Sequence, residues 1–159
     1  MADKIRYIVS ACLAGMHTRY DGGATEDPEV IELIRKGLAI PLCPEQLGGL
    51  STPREPAEFR GGDGNDVLEG RARLVGLETG EDKTPYFLKG AREVLRIAEL
   101  VKPEEIILKE DSPSCGLRCV YIDGVLQKGS GVTAALLVRK GFKVRGVQSR
   151  CEKGPSKQV

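Results

Sequence analysis

The chain has 159 residues, with 24 basic against 23 acidic side chains and a formal net charge of +1. That size suits one domain, expected over residues 1–150 with a flexible tail at 151–159, and calls for no disulfide staple. Balanced charge gives no support to a globally basic nucleic-acid face, 4% aromatic content argues against a base-stacking platform, and no apolar run approaches the roughly 18 residues of a membrane span.

IRYIVSA (5–11) is a short β-rich apolar run, read as a buried strand that ends in a loop, SACLAG. DPEVIELIRKG (27–37) reads as a helix capped by Asp27, opened by Pro28 and ended by Gly37. LAIPLC (38–43) is a second strand, and Pro41 places it at an edge, an end or a distortion. Residues 43–58 read as turns, too rich in Pro and Gly for a helix, with TPREP laid out as an extended segment. In 61–80, DVLEG and RARLVGL are candidate short strands. TPYFLKGAREVLRIAELVKP (84–103) has the clearest helical period, with Thr84 as its cap and Pro85 opening it. EEIILKE (104–110) is a third strand, VYIDGVLQ (120–127) a hairpin around Asp-Gly, SGVTAALLVRKG (130–141) a last helix, and FKVRGV (142–147) a last strand. Alternation of strands and helices predicts an α/β fold, a mainly parallel sheet flanked by helices (Rossmann-like, three-layer), with a small β-hairpin insertion.

MADKIRYIVSACLAG lacks the apolar length of a signal peptide, so the expected compartment is the cytoplasm, where thiols stay reduced. Five cysteines do not make a disulfide framework. Three of them, Cys12, Cys43 and Cys115, come directly after predicted strands. In open parallel sheets the ligand crevice lies beyond the carboxyl ends of the strands, so these loops converge at one edge. Cys119 reads as a packing residue and Cys151 as irrelevant. Three separated thiolates suit a zinc site completed by the sole histidine, His17, or an iron–sulfur cluster with one iron not held by protein. Spacing alone leaves both open.

SACLAGMHTRYDGG, PLCPEQLGGLSTPREPAE, LKEDSPSCG and GSGVTAALL occur in the order seen in the thiouracil desulfurase (TudS-like) family, which this chain resembles from about residue 5 to 147. The resemblance implies a [4Fe-4S] cluster held by Cys12, Cys43 and Cys115, with an open iron for the sulfur of a thiolated pyrimidine such as 2-thiouracil. It also implies a catalytic Glu45 and an assisting serine, mapped to Ser112 in preference to Ser114. One departure is Thr18, where many relatives carry a further cysteine just before RYDG.

The chemistry follows from the residue types. Soft sulfur binds iron, an open iron polarises the thiocarbonyl, and Glu45 acts as general base for water without net redox change. Pro44 would stiffen the turn, and Gly48–Gly49 would let backbone approach a ligand. Ser10, Arg19, Tyr20, Arg54, Lys109 and Ser114 are candidate substrate-binding residues. The plainer readings are an Arg19–Asp21 pair tying down the loop, a Lys109–Glu110 pair at a strand end, Ser112 and Ser114 capping a turn, and GSGVTAALL as a capped helix rather than an anion loop. The expected partner is a small thiolated nucleobase or nucleoside, with thiolated RNA less expected. A non-catalytic iron–sulfur or sulfur carrier and a zinc-stabilised binding module are the competing readings.

Overall fold

A computed structural model describes residues 4–151 of the chain. Most of the tail expected to be flexible, 152–159, lies outside the described residues. Four parallel strands form the central sheet in the order β2-β1-β5-β8: β1 (Tyr7–Ser10), β2 (Ala39–Leu42), β5 (Glu105–Lys109) and β8 (Val144–Val147). Pro41, which has no N–H to give a ladder, sits on the edge strand β2.

Side chains alternate across this sheet. Val9 and Ile107 face α1 (Pro28–Arg35), packing with Leu13 and Val30. Ile8, Leu42, Ile106 and Leu108 face the opposite way, onto Val94 and Ala98 of α4 (Thr84–Val101) and Ala134 and Leu137 of α5 (Val132–Arg139). The period of two puts apolar residues on both faces, so the sheet is covered on both, which gives the expected three layers. Asp27 caps α1 as expected, accepting from the backbone N–H of Glu29 and Val30. Thr84 does not cap α4. Lys83 holds that position without a side-chain bond, Asp82 accepts from Thr84 N, and Thr84 Oγ1 accepts from Leu74 N.

The hairpin β6 (Cys119–Ile122) and β7 (Val125–Lys128) does not stand alone. It joins β3 (Ala57–Arg60) and β4 (Arg73–Gly76) in a second four-stranded sheet, order β4-β3-β6-β7, through the parallel contact of Phe59 with Ile122. β3 begins at the end of the stretch read as turns, 43–58, and runs two residues past it. DVLEG is not a strand: Asp63 and Asp66 form a capping box that opens α3 (Gly64–Leu68). A second apolar cluster, Phe59, Leu74 and Val120 with Phe87, Ala91, Val67 and Val132, binds this sheet to α3, α4 and α5. α4 thus serves both sheets, its first half on one and its second half on the other. No helix among the described residues is long and apolar enough to cross a membrane.

Cys119 and Cys151, expected to pack and to be irrelevant, form a disulfide. It follows from the course of the chain after β8. Asp111 accepts from Ser149 Oγ and Arg150 N and so turns residues 148–151 back toward β6.

Candidate active site

The carboxyl ends of all four central strands open into one cavity of about 940 Å³. Cys12 lies in a 3₁₀ turn (Ala11–Ala14) that follows β1 directly. Cys43 directly follows β2 and is the N-cap of a single helical turn, α2 (Pro44–Leu47), where turns alone were expected. The Pro at the first helical position needs no N–H there, so Cys-Pro-Glu starts a helix instead of breaking one. Cys115 follows β5 by six residues. All three thiols are free and line the cavity.

α2 is pressed against α4 backbone to backbone. A Cβ on Gly48 would lie 2.0 Å from Tyr86 O, and one on Gly90 would lie 2.1 Å from Pro44 O. The glycines that were expected to admit a ligand admit α4 instead, at least at Gly48, and this contact sets the height of Glu45 over the sheet.

Glu45 is 9% exposed. Its Oε1 accepts from Arg54 Nε at 2.9 Å and its Oε2 from Ser114 Oγ at 2.8 Å. Arg54 spends its remaining donors on Thr52 Oγ1 at 2.8 Å, Ser51 O at 3.1 Å and Thr18 O at 2.9 Å. It is therefore the pin of the TPREP segment, which carries a cis peptide at Thr52-Pro53. Thr18 is buried and offers its carbonyl, not its hydroxyl, to this network.

The SPSC turn is held from three sides. Ser112 Oγ accepts from the backbone N–H of Ser114 and Cys115 and lies 3.2 Å from Ser114 Oγ. Ser114, not Ser112, touches Glu45. Glu110, 1% exposed, accepts from the backbone N–H of Leu117, Arg118 and Cys119 and from Arg118 Nε. The GSG segment completes the cradle: Gly131 N donates to Gly116 O, Val132 N to Pro113 O and Ala134 N to Ser114 O. The first N–H groups of α5 are thereby used by protein carbonyls, and a Cβ on Gly131 would meet Ser114 C at 2.5 Å. GSGVTAALL is the seat of the SPSC backbone rather than an anion loop.

Ser10, Arg19, Tyr20, Arg54, Lys109, Ser112 and Ser114 line the same cavity as the three thiols and Glu45, whereas His17 and Gly48–Gly49 are not part of its lining. Several also make contacts within the protein. Ser10 Oγ lies 3.3 Å from Cys115 Sγ. Lys109 Nζ donates to the carbonyls of Glu110 and Gln148 rather than pairing with the Glu110 carboxylate. Asp21 accepts from Gly23 N, and Arg19 stacks over the Tyr20 ring at 5.8 Å. Glu58 and Tyr121 of the second sheet and Gln148 and Arg150 after β8 also line the cavity and were missed. Glu58 sits in AEFR, whose apolar–charged alternation was the available strand signal.

The charges around the thiols shape their titration. Burial pushes the Cys43 thiol up, and the Glu45 carboxylate adds to that, against the pull of Gln46 N–H and Arg54. Burial dominates at Cys115 too, raising it, while the Ser10 hydroxyl pulls the other way. Lys109 is lowered, first by burial and then by the Arg19 and Arg150 cations.

His17 Nδ1 is turned to Gly22 O at 3.0 Å in an exposed turn. No three His, Cys, Asp or Glu side chains among the described residues converge as ligands of one ion. Three free thiols on one cavity that do not share a point fit the separate corners of a multi-iron group better than a single zinc. Fold and donor set together define a class: a parallel-sheet α/β protein with three free thiols on the cavity at its carboxyl edge.

Residues 7–148 match the family model of 2-thiouracil desulfurase, and the chain belongs to that family. It is 45% identical over 140 residues to the uncharacterized protein YbbK of Bacillus subtilis (strain 168), a match covering 86% of this chain and 92% of that protein. Among solved structures it is similar to the [4Fe-4S]-dependent thiouracil desulfidase TudS (DUF523Vcz), with a TM-score of 0.78 and 38% identity over 94% of this chain and 95% of that one.

Proposed function

We propose that the protein is a desulfurase that holds a [4Fe-4S] cluster on Cys12, Cys43 and Cys115 and removes sulfur from a small thiolated pyrimidine such as 2-thiouracil. The observation that carries this is the meeting of three free thiols and the Glu45–Ser114 pair on one cavity, in a chain that matches the family throughout. When bound, the cluster supplies a soft Lewis acid for the thiocarbonyl sulfur.

The protein's own groups do the rest. Glu45 takes a proton from water, which attacks the thiocarbonyl carbon, and exchange of C=S for C=O releases hydrogen sulfide with no electrons transferred overall. Arg54 and Ser114 fix the orientation of the carboxylate, and Ser112 fixes Ser114. Tyr20 and Tyr121 offer flat apolar walls for a pyrimidine, and Arg19 and Lys109 offer donors to its polar edge. Both sheets contribute to the cavity, which supports one functional domain. The thiolate donor set requires Cys12, Cys43 and Cys115 to be reduced, which supports a cytoplasmic setting, whereas the Cys119–Cys151 bond points to an oxidising one. A free base or nucleoside is favoured over RNA by the near-zero net charge.

Anaerobic reconstitution with iron and sulfide tests the reading. About four irons per chain, lost together when any of the three cysteines is changed to Ser, and sulfide release from thiouracil are expected. One zinc per chain, or a full cluster without turnover, would overturn it in favour of a binding module or a carrier respectively.

A further inference from the structure

The three thiols are not hydrogen-bonded alike. Ser10, the last residue of β1, is 2% exposed, and its hydroxyl stands 3.3 Å from Cys115 Sγ. The same oxygen accepts the backbone N–H of Lys109, the last residue of the neighbouring strand β5, at 3.0 Å. Ser114 Oγ reaches this sulfur only at 3.9 Å, and its one proton is committed to Glu45 at 2.8 Å. At Cys43 the polar contacts are longer, Thr18 O at 3.8 Å and an Arg54 nitrogen at 4.0 Å.

A thiolate bound to iron has no proton to give. In the loaded protein the hydrogen bond therefore runs one way, from Ser10 O–H to sulfur, and the Lys109 N–H on the other side of the oxygen both aims and polarises it. We propose that Ser10 is a positioning residue for the cluster rather than a substrate contact: its hydroxyl draws charge from the Cys115 thiolate. Less donation to iron raises the reduction potential, because an added electron is better tolerated beside a hydrogen-bonded sulfur. The pairing of β1 with β5 supplies the geometry, so the device is built into the sheet and not into a mobile loop.

The inference rests on Cys115 being a cluster ligand, and the experiment separates the two. The full chain, reconstituted anaerobically, is compared with Ser10→Ala and Ser10→Thr by iron and sulfide content, by redox titration, and by resonance Raman of the iron–thiolate stretches in H₂O and D₂O. Ser10→Ala is expected to keep four irons, to titrate at a lower potential than the parent and to lose the deuterium shift of one stretch, with Ser10→Thr restoring both. A loaded Ser10→Ala protein with the parent's potential and deuterium shift would overturn the inference and leave the cluster assignment standing. If Ser10→Ala does not load, the parent alone decides: a deuterium-sensitive iron–thiolate stretch supports the inference and its absence overturns it. A parent that takes up no cluster overturns the assignment itself.

Discussion

Glu45→Gln isolates the carboxylate's charge from its shape. The amide keeps one oxygen, which remains best placed on Arg54 Nε. Its NH₂ then faces Ser114 Oγ, whose hydroxyl is free to turn toward Ser112 Oγ, 3.2 Å away. Both contacts survive, with donor and acceptor exchanged only at Ser114, so the fold is expected to hold. Removing one member of a buried ion pair costs about 3–5 kcal/mol. Here the guanidinium keeps the carbonyls of Thr18 and Ser51 and the Thr52 hydroxyl, so the loss should fall to about 3 kcal/mol or less. The chemical step suffers more. Losing a general base is worth about 10²–10⁴-fold, or about 3–5 kcal/mol of barrier. The assay is sulfide release from thiouracil by cluster-loaded protein, with urea unfolding alongside. A Glu45→Gln protein with full iron content that turns over within tenfold of the parent would refute the assignment of Glu45 as base.

The two serines should separate. Ser114→Ala is expected to lower kcat about 10–100-fold through the loosened carboxylate at unchanged iron content, whereas Ser112→Ala unties two backbone N–H groups and costs stability, about 0.5–2 kcal/mol as for a lost cap, read by denaturant midpoint. Glu110→Ala leaves three backbone N–H groups without their acceptor. At about 1–3 kcal/mol for each unsatisfied group, the urea midpoint should drop by the equivalent of at least about 3 kcal/mol, with faster alkylation of Cys115. Hydrogen bonds from the Thr79 hydroxyl and N–H, aided by Glu78 N–H and Lys83, hold the Glu55 carboxyl down at about 2, from an ordinary value of 4.5. A depressed carboxyl stabilises the fold above 4.5 and loses that contribution as pH falls through about 2. Glu55→Gln should flatten the acid limb of Tm against pH in that window, and an unchanged limb would count against the network. The Cys119–Cys151 bond closes a span of 32 residues, which loop entropy values at up to about 4 kcal/mol. Cys151→Ser should lower Tm in oxidising buffer and leave it insensitive to dithiothreitol, while the parent falls to the same Tm on reduction.

Local chemistry explains what was readable in the chain. Asp27-Pro28 announces a helix start because an N-cap acceptor and a missing N–H satisfy the same end. The parallel sheet was legible because strands of continuous apolar residues alternate with amphipathic helices. Three cysteines after three strands pointed to one edge because parallel strands must end on the same side.

What needed the tertiary structure is what depends on partners far along the chain. β3 has four residues, and one of its two neighbours, β6, is some 60 positions away. A strand that short is stabilised by pairing and by Phe59 packing on α4, not by its own sequence. The one-turn helix after Cys43 exists because Gly48 and Gly90 let α2 close on α4. The choice between Ser112 and Ser114 as the contact of Glu45 spans 69 positions and turns on which hydroxyl of the same short loop faces α2. Residue type selected the chemistry of this protein, since thiols, an acid and a hydroxyl are chosen one position at a time. Which of them meet, and which merely hold the others in place, is a property of distances between segments that share no local signal.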